Sequence, residues 1–237
     1  MNKKIKSIVV ASMLVLTLGS AVGCTSKTET YNEATYKNIT GDEAVKIMDK
    51  DTGILLLDVR KEDEYKAGHI VDGVNIPLEE IESRISEFEE YKDKPVLVYC
   101  RVGKRSAEAS EILVKNGFTN VSNMEDGVEE YEYTMVKYND ITGTQFETMV
   151  SENSDAITLD PRDSKDYDNG HVENSINIPL GELENRLDEL DKNKEVLIYC
   201  NVGRKSAEAA SILESNGFEN VYNSIDGVKE YEFKLVK

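Results

Sequence analysis

The chain has 237 residues, of which 31% are charged and 39% hydrophobic, and its formal net charge is -18. That length suits about two domains, and that balance describes a soluble globular body rather than a bundle of membrane spans. So acidic a surface repels nucleic acid and argues against any polyanion-binding role.

The first 23 residues read as a targeting segment outside the fold. Lys3, Lys4 and Lys6 form a basic head, residues 8–18 are an apolar run too short for a comfortable membrane span, and small residues lead to Ala21-Val22-Gly23-Cys24. This architecture resembles a bacterial lipoprotein signal, with Ala21 standing where Leu is commoner. The resemblance implies lipidation of Cys24 and a chain anchored to the outer side of the cell membrane, exofacial or periplasmic. An ordinary signal peptide with an incidental cysteine, or an uncleaved anchor, is the alternative. Residues 24–35 are polar and rich in Ser, Thr and Glu, and read as a flexible tether.

A first domain is expected over residues 36–137. Ile54-Leu55-Leu56-Leu57 is a continuous apolar run, as in a strand covered on both faces. Asp58-Val59-Arg60 follows it, then Gly68-His69-Ile70 and Asn75-Ile76-Pro77. Leu78, Ile81 and Ile85 have helical spacing, and the Glu-rich stretch 79–90 reads as a solvated helix face. Val96-Leu97-Val98-Tyr99 is a second buried strand, ending at Cys100. After a short loop with Gly103 and cations, a helix is expected from Ser106 to residue 115, with Ile112 and Leu113 inward and Asn116-Gly117 as the stop. Asn120-Val121-Ser122-Asn123 is a short third strand.

The series then repeats over residues 138–237. Tyr36-Lys37-Asn38-Ile39-Thr40 returns as Tyr138-Asn139-Asp140-Ile141-Thr142, Gly68-His69-Ile70 as Gly170-His171-Val172, and Asn116-Gly117-Phe118 as Asn216-Gly217-Phe218. The first copy carries a short insertion in the region of residues 88–93. A period of this length is too long for a solenoid and means two copies of a whole domain. Alternating strands and helices predict an α/β fold in each, with a central, mostly parallel sheet and helices on both faces. Functional sites in such folds lie at the carboxyl ends of the strands, which is where Cys100 and Cys200 stand. Each cysteine has its own matching loop, so a disulfide between them is not expected.

A thiol between a buried strand and a helix N-terminus tends toward the thiolate, because backbone N–H groups and the helix dipole favour negative charge. Cys100-Arg101-Val102-Gly103-Lys104-Arg105-Ser106, with the flanking motifs and Gly127, resembles the active loop of rhodanese-like sulfurtransferases over about residues 36–237. The resemblance implies that Cys100 takes a sulfane sulfur from thiosulfate or a persulfide donor, holds it as a persulfide and passes it to a thiophilic acceptor, cyanide or a thiol. It implies no cofactor. The substrate loop would comprise Arg101, Gly103, Lys104, Arg105 and Ser106, with Arg101 and Arg105 neutralising an anionic donor and the amides of residues 101–106 forming a nest around the sulfur. Cysteine phosphatases place five residues between Cys and Arg, against four here (101–104), and the tighter loop suits sulfur better than a phosphate.

The second copy keeps Cys200 as a second candidate catalytic thiol but departs elsewhere. Asn201 replaces the first cation, Lys205 stands where Arg105 stands, and Arg204 is placed to compensate. Arg60 and Arg162 are candidates for shaping the donor pocket, although Asp58/Arg60 and Asp160/Arg162 read more simply as polar groups that organise the loops. His69 and His171 read as structural histidines, and one His with one Cys per copy makes no metal cluster. The competing reading is a membrane-tethered, non-catalytic module that senses thiols or docks a partner; the altered second loop is what supports it. The sequence carries no sign of oligomeric state.

Overall fold

Alternate residues of the strands face opposite sides, and that alternation sorts the helices. In a computed structural model that describes residues 35–50 and 53–237, the first copy runs β1 (Lys37–Ile39), α1 (Gly41–Met48), β2 (Leu55–Asp58), α2 (Glu62–Lys66), β3 (His69–Ile70), β4 (Gly73–Asn75), α3 (Ile81–Arg84), β5 (Val96–Tyr99), α4 (Lys104–Lys115), β6 (Val121–Met124) and β7 (Met135–Val136). Leu55, Leu57, Val96 and Val98 pack with Ile81 of α3 and Leu113 of α4. Leu56, Leu97 and Tyr99 turn the other way and pack with Ala44 of α1. Thr40 opens α1 with a capping box, its hydroxyl on the Glu43 amide and the Glu43 carboxylate on the Thr40 amide.

The second copy repeats the order: β8 (Asn139–Ile141), α5 (Gly143–Glu152), β9 (Ile157–Asp160), α6 (Ser164–Asn169), β10 (His171–Val172), β11 (Ile176–Asn177), β12 (Val196–Ile198), α7 (Arg204–Ser215), β13 (Val221–Ser224) and β14 (Leu235–Val236). Each copy contributes five parallel strands, ordered β1-β6-β5-β2-β4 and β8-β13-β12-β9-β11. The two sets join through a parallel contact of β4 with β8, at Val74 and Asp140, into one ten-stranded sheet. Both cysteine loops therefore open at the same, carboxyl edge of that sheet.

Two expectations need correction. The stretch 79–90 is not one helix face: α3 is a single turn flanked by 3-10 turns at Leu78–Glu80, Ile85–Glu87 and Glu89–Tyr91. Nor is it simply solvated. Glu87 accepts from Gln145 Nε2 at 2.8 Å, Glu90 from Thr144 Oγ1 at 3.1 Å, and the Tyr91 hydroxyl donates to Asp226. The insertion in the first copy thus builds part of the contact between copies. The helix after Cys100 also begins earlier than expected, at Lys104, with Gly103 as N-cap in the left-handed region (φ 77°).

A second contact joins the copies at His69. Its ring is fully buried, stacks on Tyr65 with centroids 3.6 Å apart, and brings Nε2 to 3.5 Å from Asp140 Oδ2. Asp140 donates its backbone N–H to the Tyr65 hydroxyl at 2.9 Å and accepts from Asn223 Nδ2 at 2.7 Å. Burial pushes the Asp140 carboxyl up to about 8 and the His69 imidazole down to about 4. The residues expected to form a signal segment (1–23), Cys24 and nearly all of the expected tether lie outside the described residues. Among the described residues, no helix is long and apolar enough to cross a membrane.

Candidate active site

The loop after β5 is shaped by two glycines. At Gly103 a Cβ would come within 2.2 Å of the Glu125 carbonyl oxygen, and at Gly127 (φ 59°) within 2.4 Å of the Arg101 carbonyl oxygen. Only glycine allows these approaches and the positive φ. The segment behind the loop then fixes its carbonyls: Val128 N donates to Cys100 O and Glu129 N to Arg101 O, both at 3.1 Å. With the carbonyls held outward, the amides turn toward the sulfur.

Cys100 is almost fully buried, at 1% exposure, and Cys100 and Cys200 are free thiols. Burial by itself would raise the thiol pKa. The Ser106 hydroxyl, 3.5 Å from Sγ, and the backbone N–H groups of Ser106, Val102 and Arg105 outweigh it and hold the thiol below its ordinary value. Because α4 begins at Lys104, Ser106 lies in its first turn and its hydroxyl reaches back to the sulfur. Arg105 also interacts with the Cys100 sulfur.

The other loop cations lie differently. Arg105 is gripped by Glu64 through two parallel bonds, Nη1 to Oε2 at 2.7 Å and Nη2 to Oε1 at 2.8 Å. Those bonds hold the Glu64 carboxyl down at about 2. Exposed Arg101 pairs with Glu129 at 2.7 Å, and Lys104 is exposed. Arg60 is buried against Asp58 (2.6 Å), donates to the Gly68 carbonyl at 2.9 Å and lies over the Tyr99 ring. Asn75 Nδ2 ties the Asp58 and Arg60 carbonyls together. Cys100, Arg105 and Ser106 are therefore brought together, while Arg60 organises the chain after β2 and Arg101 turns to Glu129.

In the second loop Ser206 Oγ is also 3.5 Å from Cys200 Sγ, but it lies 2.7 Å from the Gly203 carbonyl and 3.3 Å from the Ser224 carbonyl. Its single proton has stronger acceptors than the sulfur. Asn201 bonds Asp166 at 2.8 Å and Arg162 Nη1 at 3.5 Å, and Lys205 pairs with Asp163 at 3.0 Å. Arg162 pairs with Asp160 at 2.6 Å as Arg60 does with Asp58. Arg204 lines a cavity of about 590 Å³ that also touches Met48, Leu56 and Tyr133 of the first copy. Among the described residues no group of three His, Cys, Asp or Glu side chains is placed to hold a metal ion.

The sequence profile of the rhodanese-like domain matches twice, over residues 40–134 and 142–234. The chain belongs to the rhodanese-like domain family. Each matched rhodanese-like repeat contains one cysteine loop. Thiosulfate sulfurtransferase PspE of Escherichia coli (strain K12) is 40% identical over 67 residues, covering 28% of this chain and 64% of that protein. A tRNA uridine(34) hydroxylase of Hamiltonella defensa is 33% identical over 113 residues, covering 46% of this chain and 32% of that one. Among solved structures, a thiosulfate sulfurtransferase from Pseudomonas aeruginosa aligns over 84% of this chain and 43% of its own, at 20% identity and a TM-score of 0.38. The matched stretches span roughly half the length of curated relatives.

Sequence reasoning missed Glu64 and Glu129. Glu64 lies in α2, four residues after Arg60, and its counterpart in the second repeat is Asp166. An acid kept at matching places in two copies was the available signal. Glu129 offered none, because its counterpart is Lys229.

Proposed function

We propose that this chain is a sulfurtransferase that works through a persulfide on Cys100. The observation that carries this reading is the thiol itself: buried at the bottom of a ring of amides, beside the Ser106 hydroxyl and Arg105, and lowered in pKa despite its burial. In the first half-reaction the Cys100 thiolate attacks the sulfane sulfur of the donor. The donor S–S bond breaks, and sulfite (from thiosulfate) or a thiolate (from an organic persulfide) leaves with the electron pair. In the second, cyanide or a thiolate attacks the outer sulfur and the Cys100 thiolate returns. The amides stabilise negative charge on either sulfur throughout, with no reorganisation at the moment of transfer.

Cys200 is proposed as a second, weaker sulfur carrier, since its serine proton is directed to carbonyl oxygens. The chain as a whole is proposed to be exported and held at the outer membrane face through a lipid on Cys24, with small sulfur donors and thiol acceptors as its partners and no nucleic acid. Mass spectrometry of the purified protein after exposure to thiosulfate or an organic persulfide tests the chemistry. The Cys100 peptide should gain one sulfur atom and lose it on addition of cyanide or thiol. No gain from either donor would leave the thiol-sensing or docking role in its place.

A further inference from the structure

The guanidinium groups of the first loop and of the chain after β2 are already matched by carboxylates. Arg60 faces Asp58, Arg105 is held in a two-bond fork by Glu64, and Arg101 is paired with Glu129. Lys104, which is exposed, is the remaining cation of the loop. The mouth is thus close to electroneutral, on a chain whose formal charge is -18. A dianion such as thiosulfate entering this mouth meets no uncommitted guanidinium and must displace Glu64 to use the planar fork of Arg105. The overall field also slows its approach.

We propose that the first loop selects a sulfur donor of low net charge, an organic persulfide, over thiosulfate, with Glu64 as the residue that sets this preference by occupying Arg105. This rests on the sulfurtransferase reading above and names its substrate class. The step balances without another reactant: the Cys100 thiolate attacks the terminal sulfur of R–S–SH, the S–S bond breaks, R–S⁻ leaves with the electron pair, and the proton stays on the new persulfide or passes to R–S⁻. Glu64 acts as a positioning residue, since it holds the guanidinium of Arg105, a residue of the Cys100 loop, through two hydrogen bonds.

The experiment measures kcat/KM for sulfur loading of full-length protein from thiosulfate and from cysteamine persulfide, whose ammonium offsets a persulfide anion. The wild type should favour cysteamine persulfide, and its thiosulfate reaction should speed up with added salt, as expected when like charges repel. Glu64→Gln should shift the donor ratio toward thiosulfate by about tenfold and weaken the salt effect. Glu129→Gln, at a more exposed pair, should shift it the same way by less. A wild type that favours thiosulfate, or ratios unmoved in both variants, overturns the proposal while leaving the sulfurtransferase reading intact. Failure of Cys100 to load from either donor removes that reading and this one together.

Discussion

The two cysteine loops share a strand, a left-handed glycine and a serine 3.5 Å from sulfur, yet they direct the serine proton differently. Ser106 points its hydroxyl at Cys100, whereas Ser206 lies 2.7 Å from the Gly203 carbonyl. The charges differ too: Arg101 and Glu129 pair in the first loop, and Asn201 and Lys229 take their places in the second. A shared backbone frame therefore does not fix the hydrogen bonding and charge pairing around the thiol it holds. The two loops differ in which acceptor takes the serine proton and in which carboxylate meets each cation.

The comparison is broken most directly by removing each thiol. Cys100→Ser should lower sulfur loading by about a hundredfold or more, and Cys200→Ser by much less, in single-turnover assays with a persulfide donor. Equal losses would mean that the serine proton does not decide the ranking. Next in size, Gly103→Ala should cost about 2–3 kcal/mol in urea unfolding and abolish loading, because the added carbon meets the Glu125 carbonyl. Gly117→Ala is the control. Its φ is 92° but no atom lies within 4 Å of the added carbon, so the cost should be about 1 kcal/mol, with loading retained.

The two histidines give a third test. His69 is buried against Asp140, while His171, similarly stacked on Tyr167, meets no carboxylate among the described residues and is half-buried. Between about pH 4 and 6.5 His69 is neutral when folded and protonated when unfolded, so its contribution to stability rises with pH. Between about pH 4 and 8 Asp140 is protonated when folded and ionised when unfolded, so its contribution falls. The two oppose each other up to about pH 6.5, and above it only the fall remains. Stability should therefore drop by about 1–2 kcal/mol from pH 6.5 to 8, and Asp140→Asn should flatten that slope in pH-resolved thermal melts. The smallest effect is at the serines. Ser106→Ala should raise the Cys100 pKa, because the hydroxyl bond that favours the thiolate is lost, read from the pH dependence of iodoacetamide labelling. Ser206→Ala should change the labelling of Cys200 less.

The repeat, a strand one residue off the expected 54–57, the strand at 96–99 and the placement of Cys100 and Cys200 were legible because each is a local pattern: an apolar run, a turn and a helix start within about a dozen residues. The neutralised mouth was not. Glu64 and Glu129 lie far in sequence from the arginines they meet, and only folding brings α2 and the segment after β6 to the loop. Arg60, a candidate for the donor pocket, is found bound to Asp58 two residues away, a pairing that the spacing allowed but did not distinguish from an open guanidinium.

By itself, then, the amino-acid order determined two similar α/β halves, each offering a thiol at a strand end, because hydrophobic periodicity and turn chemistry act over short range. Tertiary structure alone decided that the halves share one parallel sheet through β4 and β8, that His69 faces Asp140, and that Arg101 and Arg105 of the first loop each meet a carboxylate. Those outcomes depend on pairings between distant residues, where Coulomb attraction and hydrogen-bond geometry operate only after the backbone has brought the groups within a few ångströms.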